Sequence, residues 1–427
     1  MAIQPPPKER LFSQYQVFMI AILAILQFTI ILDFMVLSPL GALLLEKLSI
    51  TTSQFGLVVS AYAFSAGASG FLAAGFADKF DRKKILMFFY VGFIIGTFLC
   101  AIAPTYELLL AARIVTGIFG GVIGSISQAI ISDLFQLEVR GRVMGFVQMA
   151  FAASQVLGLP IGLLLANSFG WHAPFWMIAI FGTILGFVIM IYMKPINEHL
   201  KLQTENNAFQ HLIKTISQLT YLKAFSATSL LATGGFMLMP FGSTFGINNL
   251  GLKMNQLPTL YLATGISSIL IGPFIGKMSD KIGKFTMFLI GSIISMLMIG
   301  VYTNLGVTPL WICIIINVLI FVGINARMIS SSTLMTAIPT PQDRGAFMSI
   351  NSSAAQVAGG IASYAAGAIV VQNKTGYLEH YDTLGYTVIG LMLIVIAMIY
   401  NINRRVMNKV AAPISVPKQE GIMVEVV

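Results

Sequence analysis

The chain has 427 residues, 57% hydrophobic and only 10% charged, with a mean hydropathy of +0.86. A water-soluble chain carries roughly 25% charged residues, so a soluble globular protein is excluded, and the short alternating segments of a membrane β-barrel are absent. The net charge is +9, but the basic residues are scattered over many short loops with no basic domain, which argues against nucleic acid and for a lipid bilayer as the partner.

A helix needs about 20 apolar residues to cross the hydrocarbon core. Twelve such runs predict an all-α polytopic membrane protein: 15–43, 52–77, 85–103, 106–133, 142–168 and 172–193, then 221–248, 256–279, 285–303, 308–336, 345–370 and 384–403. The one long connection, from Lys194 to Thr220, divides the chain into a six-span half (1–193), a linker (194–220), a second six-span half (221–403) and a tail (404–427). Of the 25 Lys and Arg residues, 20 lie in the N-terminus, the loops on its side, the linker and the tail. Three (Lys47, Lys253, Lys374) lie on the other side and two (Arg113, Arg327) within spans. The positive-inside rule then expects both termini in the cytoplasm of a multi-pass protein of the inner, plasma membrane. A monomer without a cofactor is expected. Cys100 and Cys313 both fall within spans, so neither a disulfide framework nor a metal site is expected. No nucleotide-binding lysine loop, zinc-protease motif or nucleophile elbow is present, so neither an ATP-driven pump nor an enzyme is expected.

In chain order, the first span carries Gln27 and Asp33 and lacks a signal-peptide cleavage site. The second carries Tyr62 and is followed by Ala74-Gly75-Phe76-Ala77-Asp78-Lys79-Phe80-Asp81-Arg82-Lys83. The fourth holds Arg113, then Gly117, Gly120, Gly121, Gly124 and Ser127 at helical spacing, then Gln128 and Asp133. Small residues so placed let helices approach. The fifth contains Gln155 and Gly158-Leu159-Pro160-Ile161-Gly162, where the proline predicts a bend. In the linker, Phe209, Leu212, Ile213, Ile216 and Leu219 predict an amphipathic helix on the membrane surface. The tenth span carries Asn317, Asn325 and Arg327, and the eleventh Gln356. Polar groups at such depths need partners or a cavity to line. Gln27, Tyr62, Gln128, Gln155, Asn317, Asn325, Arg327 and Gln356 are the candidates for a solute cavity. The tail beyond Arg405, with Pro413 and Pro417, is expected to be disordered.

Ionisable groups within hydrocarbon usually mark a pathway. Asp33 lies about 10 residues before the outer end of its span and Arg113 about 8 after the outer start of its own, or ~15 and ~12 Å deep at 1.5 Å per residue. The two are expected to meet. Burial and a neighbouring guanidinium act on a carboxyl in opposite senses, so moving the arginine would switch Asp33 between holding and releasing a proton. Arg327 lies about 18 residues below its outer end, at ~27 Å, on a different level. It reads either as a structural cation or as a contact for a substrate anion.

The halves share an internal repeat. Gly276-Lys277-Met278-Ser279-Asp280-Lys281-Ile282-Gly283-Lys284 echoes the stretch around Asp78, and Arg344-Gly345 echoes Arg140-Gly141. Parallel repeats place a solute site between the halves near mid-membrane. The Asp78, Lys79, Arg82, Lys83 pattern, with its second copy at Asp280 to Lys284, resembles the signature loop of the major facilitator superfamily. Arg113 to Gly117 resembles its span-four signature. Gly158, Pro160 and Gly162, followed by Phe169-Gly170-Trp171-His172, resemble span five of its drug/proton and sugar-efflux antiporter branch, with His172 where arginine is usual. The resemblance implies two pseudo-repeated six-helix halves and alternating access. It implies that Asp78, Arg82 and Asp133, with Asp280 and Lys284 in the second half, act as a cytoplasmic gate, and that Gly158, Pro160 and Gly162 belong to the antiport helix. The expected function is proton-coupled antiport exporting a small organic solute: a drug, a sugar, or an acidic or zwitterionic metabolite. The rivals are a proton-coupled importer of an organic acid or siderophore-like anion, and a non-transporting membrane sensor.

Overall fold

A computed structural model describes residues 12–73, 80–135, 143–198 (apart from 145, 148 and 152), 200, 215–340 and 343–411. The expected helix around Phe209 falls largely outside these residues, as do Asp78 and the tail beyond Ala411. Two backbone faces are named here by position: the terminal face, which carries the start of the first span and the end of the last, and the opposite face.

The first half contains α1 (Gln14–Val36), the short α2 (Gly41–Lys47), α3 (Thr52–Ala73), α4 (Arg82–Ile102), α5 (Tyr106–Leu134), α6 (Leu159–Phe169) and α7 (Ala173–Tyr192). The second contains α8 (Leu219–Leu238), the short α9 (Gly242–Asn248), α10 (Leu257–Ile282), α11 (Lys284–Tyr302), α12 (Leu310–Thr336), α13 (Arg344–Ile369) and α14 (Tyr381–Ala411). A two-stranded antiparallel ribbon, Val371–Gln372 with Leu378–Glu379, caps the opposite face between α13 and α14. In hydrocarbon every backbone group must be paired within the chain, which is why apolar runs fold as helices. Among the described residues, eleven segments are long and apolar enough to cross a membrane. The twelfth long helix, α13, falls short because small and polar residues (Ser349, Asn351, Ser352, Ser353, Gln356, Ser363) interrupt it. It packs tightly between α3 and α8, so little of it needs to be lipid-soluble.

The structure corrects two expected spans. The first does not run unbroken to residue 43: α1 stops at Val36, a turn follows, and the chain restarts as α2. The seventh breaks likewise, with a 3-10 turn at Met239–Phe241 before α9. Pro39 and Pro240 explain both, since proline lacks the N–H an interior helix bond needs. The two breaks are repeat partners, and they touch. Ser38 Oγ donates to the Met239 carbonyl, and Ser243 Oγ donates to the Ser38 carbonyl at 2.9 Å. A methyl group on Gly41 would lie 3.2 Å from the Pro240 carbonyl oxygen.

This contact lies in an apolar core shared by both halves at the opposite face, where Leu40, Phe55 and Trp171 join Phe241, Phe245 and Tyr381. Towards the terminal face the cores separate. One cluster is built only from the first half, around Tyr90 and Ile126, and another has its buried members only in the second, around Phe288 and Phe347. Helices α3 and α13 bridge the halves along their length. A methyl on Gly56 would sit 2.7 Å from the Ser363 carbonyl, and one on Gly67 2.7 Å from Val357.

Because Gly56 leaves no room, Gly56→Val should pry the opposite face open. Spin labels at the exposed Lys47 and Lys374, one in each half, should then show a longer and broader separation by pulsed electron resonance.

Candidate functional site

Small residues set the geometry first. The α5 stripe lets α3 lie against it: methyl groups on Gly117 and Gly121 would come within 2.5 and 2.4 Å of the Tyr62 and Ala66 carbonyls. This close approach slides the Tyr62 ring beneath the guanidinium of Arg113, whose Cζ is 4.6 Å from the ring centroid. Only Gly124 of the stripe faces open space.

Arg113 and Asp33 meet. Arg113 Nη1 donates to Asp33 Oδ2 at 2.8 Å, with a weaker contact to the Asp33 carbonyl at 3.4 Å. Thr97 of α4 donates to the other carboxylate oxygen, Oδ1, at 3.0 Å. Asp33, Thr97, Arg113 and Thr116 are each 0% exposed. Cys100 Sγ lies 3.8 Å from Thr116 Oγ1, and that hydroxyl is spent on the Ala112 carbonyl at 2.7 Å. Arg113 Nε has no partner among the described residues. A buried pair is stabilising only when its remaining hydrogen-bonding capacity is satisfied, so this pair is incompletely compensated.

The two charges share one level as expected, but Asp33 stands only three residues before the end of α1 rather than about ten. The pair is nonetheless fully buried. Thr97 was missed by the sequence reading. The signal was a lone hydroxyl five residues from the end of the third span, at a level comparable to Arg113. Phe34 was also missed. Its ring lies 5.3 Å from Tyr62 and 5.5 Å from Phe236 of α8, tilted against both, so the site touches the second half through a chain of three aromatic rings.

At the terminal face, Arg82 Nε pairs with Asp133 Oδ2 at 2.9 Å. Asp81 caps α4 by accepting the Lys84 N–H at 3.0 Å with φ −55°. Its repeat partner Gly283 instead takes φ +96°, where glycine is favoured. Lys284 pairs with Asp280 one turn away. The residue opposite Asp133 in the repeat is Ala337, so the second half has no equivalent of the Arg82–Asp133 pair.

The fifth span carries a π-helical turn at Ser154–Gly158, immediately before Pro160. The widened turn accommodates the proline's missing donor. Ser154 Oγ reaches the Phe28 carbonyl at 3.2 Å, and a methyl on Gly265 of α10 would lie 2.8 Å from Val156, so this turn lies against both α1 and the second half. A methyl on Gly162 would approach Val36 at 3.1 Å. His172 stacks on Trp171 and bonds the Ala103 carbonyl at 3.0 Å, tying two loops of the opposite face.

The remaining candidates are dispersed. Gln155 is buried; Gln27 and Gln356 are half-buried with no hydrogen bond among the described residues; Gln128 is exposed. Asn317 is spent on its own helix, at the Cys313 carbonyl, 2.9 Å away. Asn325 Nδ2 and Arg327 Nε are buried without hydrogen-bond partners among the described residues. Arg327 stacks over Phe288 at 5.7 Å and has no carboxylate partner among the described residues.

Two related six-span halves, closed over one face and holding a charged pair in their apolar interior, define a multi-pass membrane transporter. The family model of the Major Facilitator Superfamily matches residues 23–363, and the chain belongs to that superfamily. The MFS-type transporter YceJ of Bacillus subtilis (strain 168) is 32% identical over 270 residues, covering 62% of this chain and 68% of that protein. Multidrug resistance protein 3 of the same organism is 34% identical over 148 residues, covering 35% of this chain and 29% of its own. Among solved structures, the nucleoside transporter NupG superposes with TM-score 0.72 at 15% identity, covering 90% of this chain and 99% of that one. A bacterial homologue of the human lysosomal transporter Spinster superposes with TM-score 0.71 at 15% identity, covering 93% and 98%. These similarities establish the fold.

Removing one partner of a buried pair strands the other charge. Arg113→Met should therefore destabilise the protein by about 3–5 kcal/mol. Asp33→Asn/Arg113→Met, which leaves no orphan charge, should cost less than the single change. Thermal unfolding of the detergent-purified variants measures both.

Proposed function

We propose that the protein is a proton-coupled antiporter of the plasma membrane that exports a small organic solute by rocking its two halves about a central site. The carrying observation is the sealed Asp33–Arg113 pair with Thr97 and Tyr62, because Asp33 is the only carboxylate deep in a span among the described residues. When Arg113 is drawn away, the carboxylate loses its counter-charge in a medium that penalises charge, and it takes up a proton. When Arg113 returns, the proton leaves. Tyr62 offers the guanidinium a resting place on its ring, and the contacts from Tyr62 through Phe34 to Phe236 support coupling that movement to the second half.

With both termini in the cytoplasm, the shared core closes the outer face and the separate cores face inward. Arg82, Asp133 and Asp78 would then form the cytoplasmic latch of the alternative state, and the π turn with Gly158, Pro160 and Gly162 the flexible contact between halves. Two in-span arginines against one aspartate favour an acidic or zwitterionic cargo, with Arg327 as the uncompensated cation. Export is supported by the span-five motif and by the similarity to a relative named for multidrug resistance. Uptake of an organic acid would use the same charges in the reverse direction.

In proteoliposomes with an imposed pH gradient, screened against organic acids, amino acids, sugars and drugs, wild-type protein should move a solute against the proton flow. Asp33→Asn should abolish gradient-driven transport; because it strands the Arg113 charge, its thermal unfolding is measured alongside and rates are compared per folded protein. Wild-type rates in that variant would overturn the coupling role.

The latch gives a separate expectation. Asp133→Asn should raise cysteine labelling of the cavity from the cytoplasmic side, because Arg82 loses its carboxylate.

A further inference from the structure

A cavity of about 460 Å³ opens at the terminal face between the ends of α8, α12 and α14. It belongs wholly to the second half, away from the Asp33–Arg113 site. Its polar walls are Thr220 and Lys223 from the first turn or two of α8, and Asn401 and Arg405 from the last turns of α14; Met398 and Ile402 form part of its apolar wall. No acid lines it. Lys223 and Arg405 make no hydrogen bond or ion pair among the described residues. Asp343, in the neighbouring loop, is engaged by Tyr221 Oη at 2.8 Å and Thr340 Oγ1 at 2.9 Å.

The α14 wall is graded. Met398, Asn401, Ile402 and Arg405 follow i, i+3, i+4, i+7 spacing and so share one face of the helix. Met398 lies ~10 Å along the helix axis from Arg405, on the side of the hydrocarbon core. A ligand that fits carries an anion at the rim and an apolar body below it. The neighbouring side chains Leu219, Leu222, Tyr400 and Met407 are exposed and large, which sets the rim against lipid rather than bulk water. Basic pockets between spans on the cytoplasmic side suit anionic headgroups.

We propose that this cavity binds an anionic phospholipid, its phosphate between Lys223 and Arg405 and its glycerol and upper acyl carbons on Met398 and Ile402. The proposal does not depend on proton coupling.

The test uses the purified full chain and native mass spectrometry, with phosphatidylglycerol or phosphatidylcholine added singly. Wild-type protein should retain phosphatidylglycerol in preference to phosphatidylcholine. Lys223→Gln/Arg405→Gln should weaken phosphatidylglycerol binding by about 30-fold. Lys223→Arg/Arg405→Lys, which keeps the charge, should stay within about threefold of wild type. Met398→Trp, which fills the cavity and leaves both cations, should also reduce binding. Melting temperatures of the variants, compared with wild type, separate lost binding from lost folding. Inorganic phosphate and glycerol phosphate should fail to displace the lipid. Equal binding of the two lipids, unchanged affinity in the Gln variant, or displacement by inorganic phosphate would each overturn the assignment.

Discussion

The absence of water in the hydrocarbon core governs this molecule. A backbone group or charge left unpaired there costs several kcal/mol, so the regular parts are helices and each irregular part must find a partner nearby. The interrupted first and seventh spans find theirs in each other, through Ser38, Met239 and Ser243. The π turn of the fifth span sits against α1, where the Ser154 hydroxyl donates to the Phe28 carbonyl. The single deep carboxylate is met by Arg113 and Thr97. Irregular backbone thus concentrates where one helix must touch several others, which is also where the halves meet.

The distribution of apolar packing gives the same division a mechanical sense. One core joins the halves at the opposite face, while at the terminal face each half keeps its own. Protein interiors are close-packed and transmit strain. The two halves approach most closely where small residues bring backbones together, as along Gly56 and Gly67 of α3 against α13. The ion pair lies among residues of the first half, and Phe34, in contact with Tyr62 and with Phe236, links its surroundings to the second half.

Much of this was legible in the sequence, because hydrophobic length and the repeat are strong signals. The twelve spans, the halves and the common level of Asp33 and Arg113 follow from spacing alone. What spacing could not supply was the state of the backbone between those points. Pro39 lies within a continuous apolar run, and hydropathy cannot separate a span from a span that breaks and restarts. The same averaging hides α13 from the opposite direction: its serines and asparagines lower the hydropathy of a helix that lies between two others. The signal at Thr97 was weak, because a threonine in an apolar helix usually serves its own backbone, as Thr116 does, and only the three-dimensional neighbour shows which role applies. Arg327 shows the reverse: its depth was readable, but its lack of a carboxylate partner among the described residues became visible only in the structure.

The contact between the two helix breaks has a further consequence. Ser38 and Met239 are equivalent positions of the repeat, so Ser38 donates to the carbonyl of its own counterpart. That is the pattern of an isologous two-fold interface, in which residue i of one subunit meets its mate in the other. Methionine at 239 cannot return the bond, and Ser243, one turn further on, does so instead. The two halves therefore meet here as the two sides of a pseudo-two-fold interface do, with one bond in each direction but with different donors, Ser38 and Ser243, supplying them.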